Sequence, residues 1–157
     1  MVREMYRDST TDLETALGKT RPDEIETWLN AYQQSLADEA HPFAAYMREL
    51  FKQKTITQQE VFLKADIPER YGYRLIAQAK KTAQRDTILR ICFAAGFTLK
   101  ETQRALKLYG MSELYARIPR DAALIVAFNN GIHEVEEVNE MLVSNGLDPL
   151  KPCGSRE

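Results

Sequence analysis

The stretch TQQEVFLKADIPERYGYRLIAQ, from Thr57 to Gln78, decides the fold of this chain. It predicts two short helices with a break at Asp66. Thr57 and Glu60 have the spacing of a capping box, in which each side chain binds a backbone N–H at the start of a helix. Asp66 and Glu69 repeat this spacing. Because a helix that ends directly before another capped helix forces a sharp corner, the stretch predicts a helix-turn-helix.

Both helices of this corner have an apolar and a polar side. Pro68 fits the first turn of the second helix, where its missing N–H costs nothing. The side chains predicted to face a common core are Val61, Phe62, Ala65, Ile67 and Leu75. Those predicted to face outward are Glu69, Arg70, Tyr71, Tyr73 and Arg74. The two tyrosines are two residues apart and therefore point about 200° apart around a helix, so at least one of them is predicted to be in the core.

The composition is that of a globular protein. The chain has 157 residues, of which 44% are hydrophobic, so it can bury a core and form one or two small domains. The first residues carry acids and hydroxyls where a signal peptide needs an apolar run, and no stretch reaches membrane-spanning length, so a cytoplasmic location is expected. Cys92 and Cys153 lack the spacing of a zinc site or a disulfide framework. No cofactor is predicted.

The charge is distributed unevenly. Residues 1–41 hold 4 basic and 9 acidic side chains, residues 42–120 hold 15 and 7, and residues 121–157 hold 2 and 7. A basic middle between acidic ends is typical of a chain of which only the middle meets a polyanion.

Helical periodicity extends on both sides of the corner. In the N-terminal extension, residues 1–41, one helix face is formed by Ile25, Trp28, Leu29, Tyr32 and Leu36. A helix that starts at Pro42 has an apolar face made of Phe43, Tyr46, Met47, Leu50 and Phe51. The polar run after Gln78 is predicted to be a loop that leads into a helix at Arg85.

The second half of the chain nearly repeats itself. Arg85-Asp86 and the following helix, glycine, second helix and glycine recur from Arg120-Asp121, at offsets of 35 and then 36 residues. Each unit ends in a leucine, Leu114 or Leu150, that is predicted to tuck back. Two helical hairpins packed on each other are predicted, with the Arg-Asp pairs as helix-start devices. The run AALIVAF in the second unit is apolar almost all round, which predicts a central helix.

With these motifs in view, the chain resembles the lambda-repressor-like (XRE) helix-turn-helix transcriptional regulators. More narrowly, it looks like a bacterial group in which that domain continues into an Arg-Asp helical hairpin. The resemblance covers Phe43 to Leu150 and is carried by TQQEVFLKADIPERYGYRLI, QRDTILRICFAAGFTLKETQRALKLYGMSELYARIPRD and EVNEMLVSNGL. It implies an all-α fold. The expected parts are an N-terminal helical extension (1–41), a five-helix DNA-binding domain (42–118), a C-terminal helical hairpin (119–150) and a tail (151–157).

The resemblance also implies a site. Gln58 would contact a phosphate, and the helix that starts near Pro68 would read the major groove. The residues that would meet bases or backbone are Gln58, Glu69, Arg70, Tyr71, Arg74, Gln78, Lys80 and Lys81. The chain departs from the family's usual pattern at Asp66, Gly72 and Gln78, where a turn glycine, a branched core residue and a terminal glycine are common.

The expected function is sequence-specific regulation of transcription by a homodimer on duplex DNA, with a regulatory protein as a possible further partner and no membrane contact. An enzyme is not predicted, because His41 and His133 have no nucleophile, phosphate loop or metal-ligand spacing near them. The alternative is a protein-protein interaction module that keeps the helix-turn-helix fold without binding DNA. The two differ in salt dependence, which phosphate contacts make steep.

Overall fold

The computed structural model describes residues 10–32 and 41–153, and all the regular secondary structure in these two stretches is helical. The α-helices there are α1 (Thr10–Gly18), α2 (Ile25–Ala31), α3 (Pro42–Gln53), α4 (Gln58–Ala65), α5 (Glu69–Ile76), α6 (Arg85–Ala94), α7 (Leu99–Tyr109), α8 (Pro119–Asn129) and α9 (Val135–Ser144). A 3-10 turn at Pro22–Glu24 leads into α2. The predicted all-α class is therefore confirmed. Within the described stretches, no helix has the length and apolar character that crossing a bilayer requires.

The N-terminal helices use only part of their predicted apolar face. Trp28 is buried and stacks on Tyr32, with ring centroids 5.0 Å apart. Ile25 and Leu29 are exposed, and Leu36 lies outside the described residues. The amphipathic pattern thus leaves apolar side chains of α2 at the surface.

Five helices, α3 to α7, lie between residues 42 and 118. Helix α3 packs against α7, and α4 packs against α6. The side chains predicted to line the inner face of α3 are all buried. One hydrophobic core runs from Phe43 through to Leu150, so the second hairpin shares this core.

The ends of α3, α4 and α5 share a left-handed backbone conformation at non-glycine residues. Thr55, Asp66 and Gln78 have φ of +55°, +56° and +61°. In each case the next residue donates its N–H back across the last turn, as in a Schellman motif. The ends of the helices in the Arg-Asp units have glycine at the same place, at Gly96, Gly110, Gly131 and Gly146.

The two Arg-Asp units hold each other through crossed ion pairs. Arg120 of the second unit donates to both carboxylate oxygens of Asp86 in the first, at 3.0 and 2.9 Å. Arg85 of the first unit donates to both oxygens of Asp121 in the second. Both aspartates lie in the first turn of a helix, as predicted. The pairs across the units add a role beyond starting a helix.

The loops that close the two units also make matching contacts, some within a unit and some across to the other unit. Leu114 N–H donates to Gln103 at 2.7 Å, and Leu150 N–H donates to Asn139 at 2.8 Å. The residue after each leucine donates its N–H to an aspartate of the crossed ion pairs, Tyr115 to Asp121 and Lys151 to Asp86. The sequence repeat is therefore also a repeat of contacts.

Arg90 ties the end of the second unit to the corner between α4 and α5. Its buried guanidinium donates to the carbonyl oxygens of Leu150 and Lys151, at 2.8 and 2.7 Å, and to that of Ala65, at 3.2 Å. The predicted tail is thus anchored at its first residue. Residues 154–157 lie outside the described part of the chain.

Helix α8 is less central than predicted. Leu124, Ala127 and Phe128 are buried, and the Phe128 ring stacks on Phe93. Val126 on the other side is 54% exposed. The prediction is wrong for this outer side, because the main neighbours of α8 are α7 and α9, which both lie toward its buried side.

Candidate nucleic-acid interface

The corner between α4 and α5 is built by one capping box and one left-handed residue. Thr57 Oγ1 accepts from Glu60 N–H at 3.1 Å, and Glu60 accepts from Thr57 N–H at 3.4 Å, which confirms the first predicted box. The second predicted box does not form. Asp66 ends α4 instead of starting α5, because its left-handed backbone closes the last turn of α4. Helix α5 then begins after Pro68, which is its N-cap residue.

Helix α5 buries one side and exposes the other. The buried side of α5 consists of its own residues Gly72, Leu75 and Ile76. The exposed side chains are Glu69, Arg70, Tyr73 and Arg74, while Tyr71 is half-buried and packs against the core. The outward face of this short helix is therefore polar and contains two arginines.

Gly72 lets α5 approach α4 closely. A Cβ atom at this position would lie 2.6 Å from the ring of Phe62, which is buried. The same ring makes an edge contact with Tyr73, at 5.2 Å between centroids. A branched residue at this position would not fit unless the Phe62 ring moved, so Gly72 reflects close packing of the two helices.

Arg70 and Arg74 are the cations presented by α5. They are four residues apart and therefore share one side of the helix. Neither guanidinium has a hydrogen bond or ion pair with another described residue, and both side chains are exposed. Their charges are consequently available to an external anion.

Glu69 faces Tyr73, one turn further along α5. Partial desolvation, together with the hydrogen bond and the negative charge of Glu69, raises the pKa of the Tyr73 hydroxyl above its usual value. The tyrosine therefore stays neutral at physiological pH. Glu69 thus has a hydrogen-bond partner within its own helix.

Gln78 combines two structural roles. Its backbone is left-handed and ends α5, and its side-chain oxygen accepts from Ala44 N–H at 3.2 Å. Ala44 lies in the first turn of α3, where backbone N–H groups have no partner within the helix. The predicted contact residue Gln78 thus links the end of α5 to the start of α3.

The other predicted contact residues lie beside this face. Gln58 is the first residue of α4 and is half-buried. Lys80 and Lys81 are exposed in the loop between α5 and α6. Several other basic residues of the middle segment are engaged internally: Lys54 pairs with Glu101 at 2.9 Å, and Arg85, Arg90 and Arg120 bind the groups described above.

Tyr73 is a residue of this face that was not among the predicted contacts. On a helix with 100° per residue it lies between Glu69 and Arg70. The helical spacing in the sequence is enough to place Tyr73 on the outward face and Tyr71 on the side toward the core. Tyr73 offers an aromatic edge and a hydroxyl beside the two arginines.

Comparisons of the chain with protein-family models, characterised proteins and solved structures found no significant match. The resemblance to the lambda-repressor-like regulators therefore rests on the motifs quoted above and stays a prediction.

Proposed function

We propose that this protein binds duplex DNA through α5 and regulates transcription. The observation that carries the proposal is the pair of exposed arginines, Arg70 and Arg74, on the outward face of a short helix held at a sharp corner. Arginine can pair bidentately with guanine or bind phosphate, and a short second helix of this kind fits the major groove. The lambda-repressor-like fold and the XRE relationship belong to the same proposal.

The surroundings of α5 support this role. Lys80 and Lys81 follow the helix in an exposed loop, where they can neutralise phosphates. Gln58 is the first residue of α4, so a phosphate bound at this helix start would meet its backbone N–H and its amide side chain. Gln78 holds α5 against α3 instead, so we assign it to positioning of the reading helix.

A two-fold dimer that reads paired half-sites is part of the proposal, because one eight-residue helix contacts only a few base pairs. Sedimentation of the protein with a duplex carrying two half-sites tests this. A complex with one protein per duplex at saturating protein would remove the dimer from the proposal.

The central experiment is a fluorescence anisotropy titration of the full chain with duplex DNA from upstream of its own gene, at several salt concentrations. We expect the Arg70→Ala, Arg74→Ala variant to lose at least about tenfold in affinity. We also expect a shallower salt dependence, since each lost phosphate contact removes about 0.9 from the log–log slope.

A matched control is Arg117→Ala, which removes an exposed arginine from the loop before α8. It should leave affinity and slope nearly unchanged. Equal losses in both variants, or equally weak binding of the parent protein to any sequence, would contradict sequence-specific recognition by α5. That outcome would favour the interaction module.

A further inference from the structure

The two Arg-Asp units differ in how they are covered. In the first unit, α4 lies on α6 and α3 lies on α7, and every residue of α6 from Asp86 to Ala94 is buried. In the second unit, α8 and α9 correspond to α6 and α7, yet the described part of the chain leaves the outer side of α8 exposed at Val126. The crossed ion pairs and the contacts of the closing loops recur in both units, whereas the cover over the two units differs.

Corresponding positions identify the uncovered face. Val126 corresponds to Ile91 at the offset of 35 residues, and it is 54% exposed whereas Ile91 is fully buried. Ile132 and Met141 are half-buried, while their counterparts Phe97 and Ala105 are fully buried. We call this surface the α8/α9 face; its apolar members are Ala122, Ala123, Val126, Ile132 and Met141.

Two acids flank the α8/α9 face. Glu137 and Glu140, both exposed, correspond to Glu101 and Arg104 at the offset of 36 residues. In the first unit both of these counterparts meet α3 or the residue that ends it. Glu101 pairs with Lys54 at 2.9 Å, and Arg104 lies 5.8 Å from the centre of the Tyr46 ring.

We propose that the α8/α9 face binds an amphipathic helix of a partner protein, with basic residues beside its apolar stripe. Helix α3, which covers α7 in the first unit, has this character: an apolar face with Lys54 at its end. Two acids in place of Glu101 and Arg104 make the second site more acidic than the first, so a basic rim is complementary.

The charge pattern disfavours the chain's own candidates as occupants. Residues 10–32 carry five acids and two basic residues, so α1 and α2 match the sign of Glu137 and Glu140. Two copies joined face to face would bring the same glutamates together around a two-fold axis. A helix from another protein avoids both costs.

The test uses the full chain without DNA and a capped synthetic peptide with the sequence of residues 42–54, PFAAYMRELFKQK, as the probe. We expect saturable binding with one peptide per chain, measured by calorimetry or anisotropy. A peptide with Arg48, Lys52 and Lys54 changed to Glu should bind at least tenfold more weakly.

Two exposed valines give a matched pair of variants. Val126→Lys places a charge in the α8/α9 face and should weaken peptide binding at least tenfold. Val143→Lys is the control, because Val143 is 59% exposed and its counterpart in the covered unit, Lys107, is exposed as well. It should bind like the parent protein.

A second comparison uses variants of exposed glutamates, which leave the hydrophobic core unchanged. Glu137→Gln with Glu140→Gln should weaken binding of the basic peptide at least threefold, whereas Glu136→Gln, whose counterpart Lys100 is exposed, should not. Absence of saturable binding to the parent protein, or equal effects of the two valine variants, would overturn the proposal. Self-association that Val126→Lys abolishes would overturn it too, by assigning the face to a second copy.

Discussion

Arg120 donates two hydrogen bonds to Asp86, which precedes it by 34 residues, and Arg85 holds Asp121 in the same way across the two units. Asp121 is almost completely buried, with 1% of its side chain exposed. Removal of one partner of such a pair leaves an uncompensated charge in the interior, at a cost of about 3–5 kcal/mol. We therefore expect Arg85→Ala, which leaves the buried Asp121 carboxylate without its arginine, to destabilise the protein strongly in urea unfolding.

The control for this prediction is a set of double-mutant cycles, which distinguish the crossed pairs from pairs of sequence neighbours. The cycles Arg85 with Asp121 and Arg120 with Asp86 should give coupling energies of about 1–3 kcal/mol. The cycle Arg120 with Asp121 should give a clearly smaller value. Equal coupling in the neighbouring pair would mean that the Arg-Asp motifs act within a single helix start.

The stability of the protein should fall at acidic pH because of Asp86. Burial by itself raises the pKa of this carboxyl, but the hydrogen bonds from Arg120 and Lys151 and the charges of Arg120 and Arg85 outweigh it. The pKa in the folded state is therefore lower than in the unfolded state, where it is about 3.9.

The unfolded chain consequently takes up a proton at Asp86 at a higher pH than the folded chain does. The stabilisation is complete above about pH 5 and is lost as the pH falls through the two pKa values. The free-energy difference between the parent protein and Asp86→Asn, measured by urea unfolding, should shrink from pH 6 to pH 3.5. A difference that stays constant over this range would contradict the assignment.

Local signals in the sequence identified the main elements. The capping box at Thr57, the apolar face of α3 and the repeated glycines each depend on residues a few positions apart, so they predict helix starts, faces and ends. The repeat itself was also visible. Its crossed ion pairs were not, because pairing within a unit and pairing between units require the same residues at the same spacing.

The corner shows a second limit of sequence reasoning. Asp66 and Glu69 have the spacing of a capping box, but the same aspartate can end the preceding helix in a left-handed conformation, which asparagine and aspartate tolerate better than most residues. Packing of Ile67 into the core selects the second solution. Local propensity cannot distinguish the two solutions, because the choice depends on this tertiary contact.

Gly72→Ala should destabilise the protein although alanine favours helices. Helix propensity alone predicts a gain of about 1 kcal/mol. The new methyl group would instead meet the Phe62 ring at 2.6 Å, and overpacking of this kind costs about 1–3 kcal/mol. Urea unfolding of Gly72→Ala alone and together with Phe62→Leu tests this; the second change should recover part of the loss, and a simple sum of two losses would exclude the clash.

The two cysteines should react with thiol reagents at very different rates. Burial raises the pKa of Cys92 to about 12, so it has almost no thiolate at pH 8. Cys153 is half-buried beside Ile67 and Pro68 at the corner. We expect one fast thiol with Ellman's reagent, and none in Cys153→Ser. Two fast thiols in the native protein would show that the core around Cys92 opens readily.

Thr55→Gly should stabilise the protein by about 1 kcal/mol, because Thr55 has φ of +55° at the end of α3 and a β-branched side chain is strained in this region. Its side chain is exposed, so glycine loses little packing there.

The matched opposite change is Gly110→Ala. Gly110 has φ of +90° and open space around the position that a Cβ would take, so backbone strain alone should destabilise this variant by about 1 kcal/mol. Thermal and urea unfolding of both variants measure the two effects, and shifts of the same sign would contradict a left-handed end at α3.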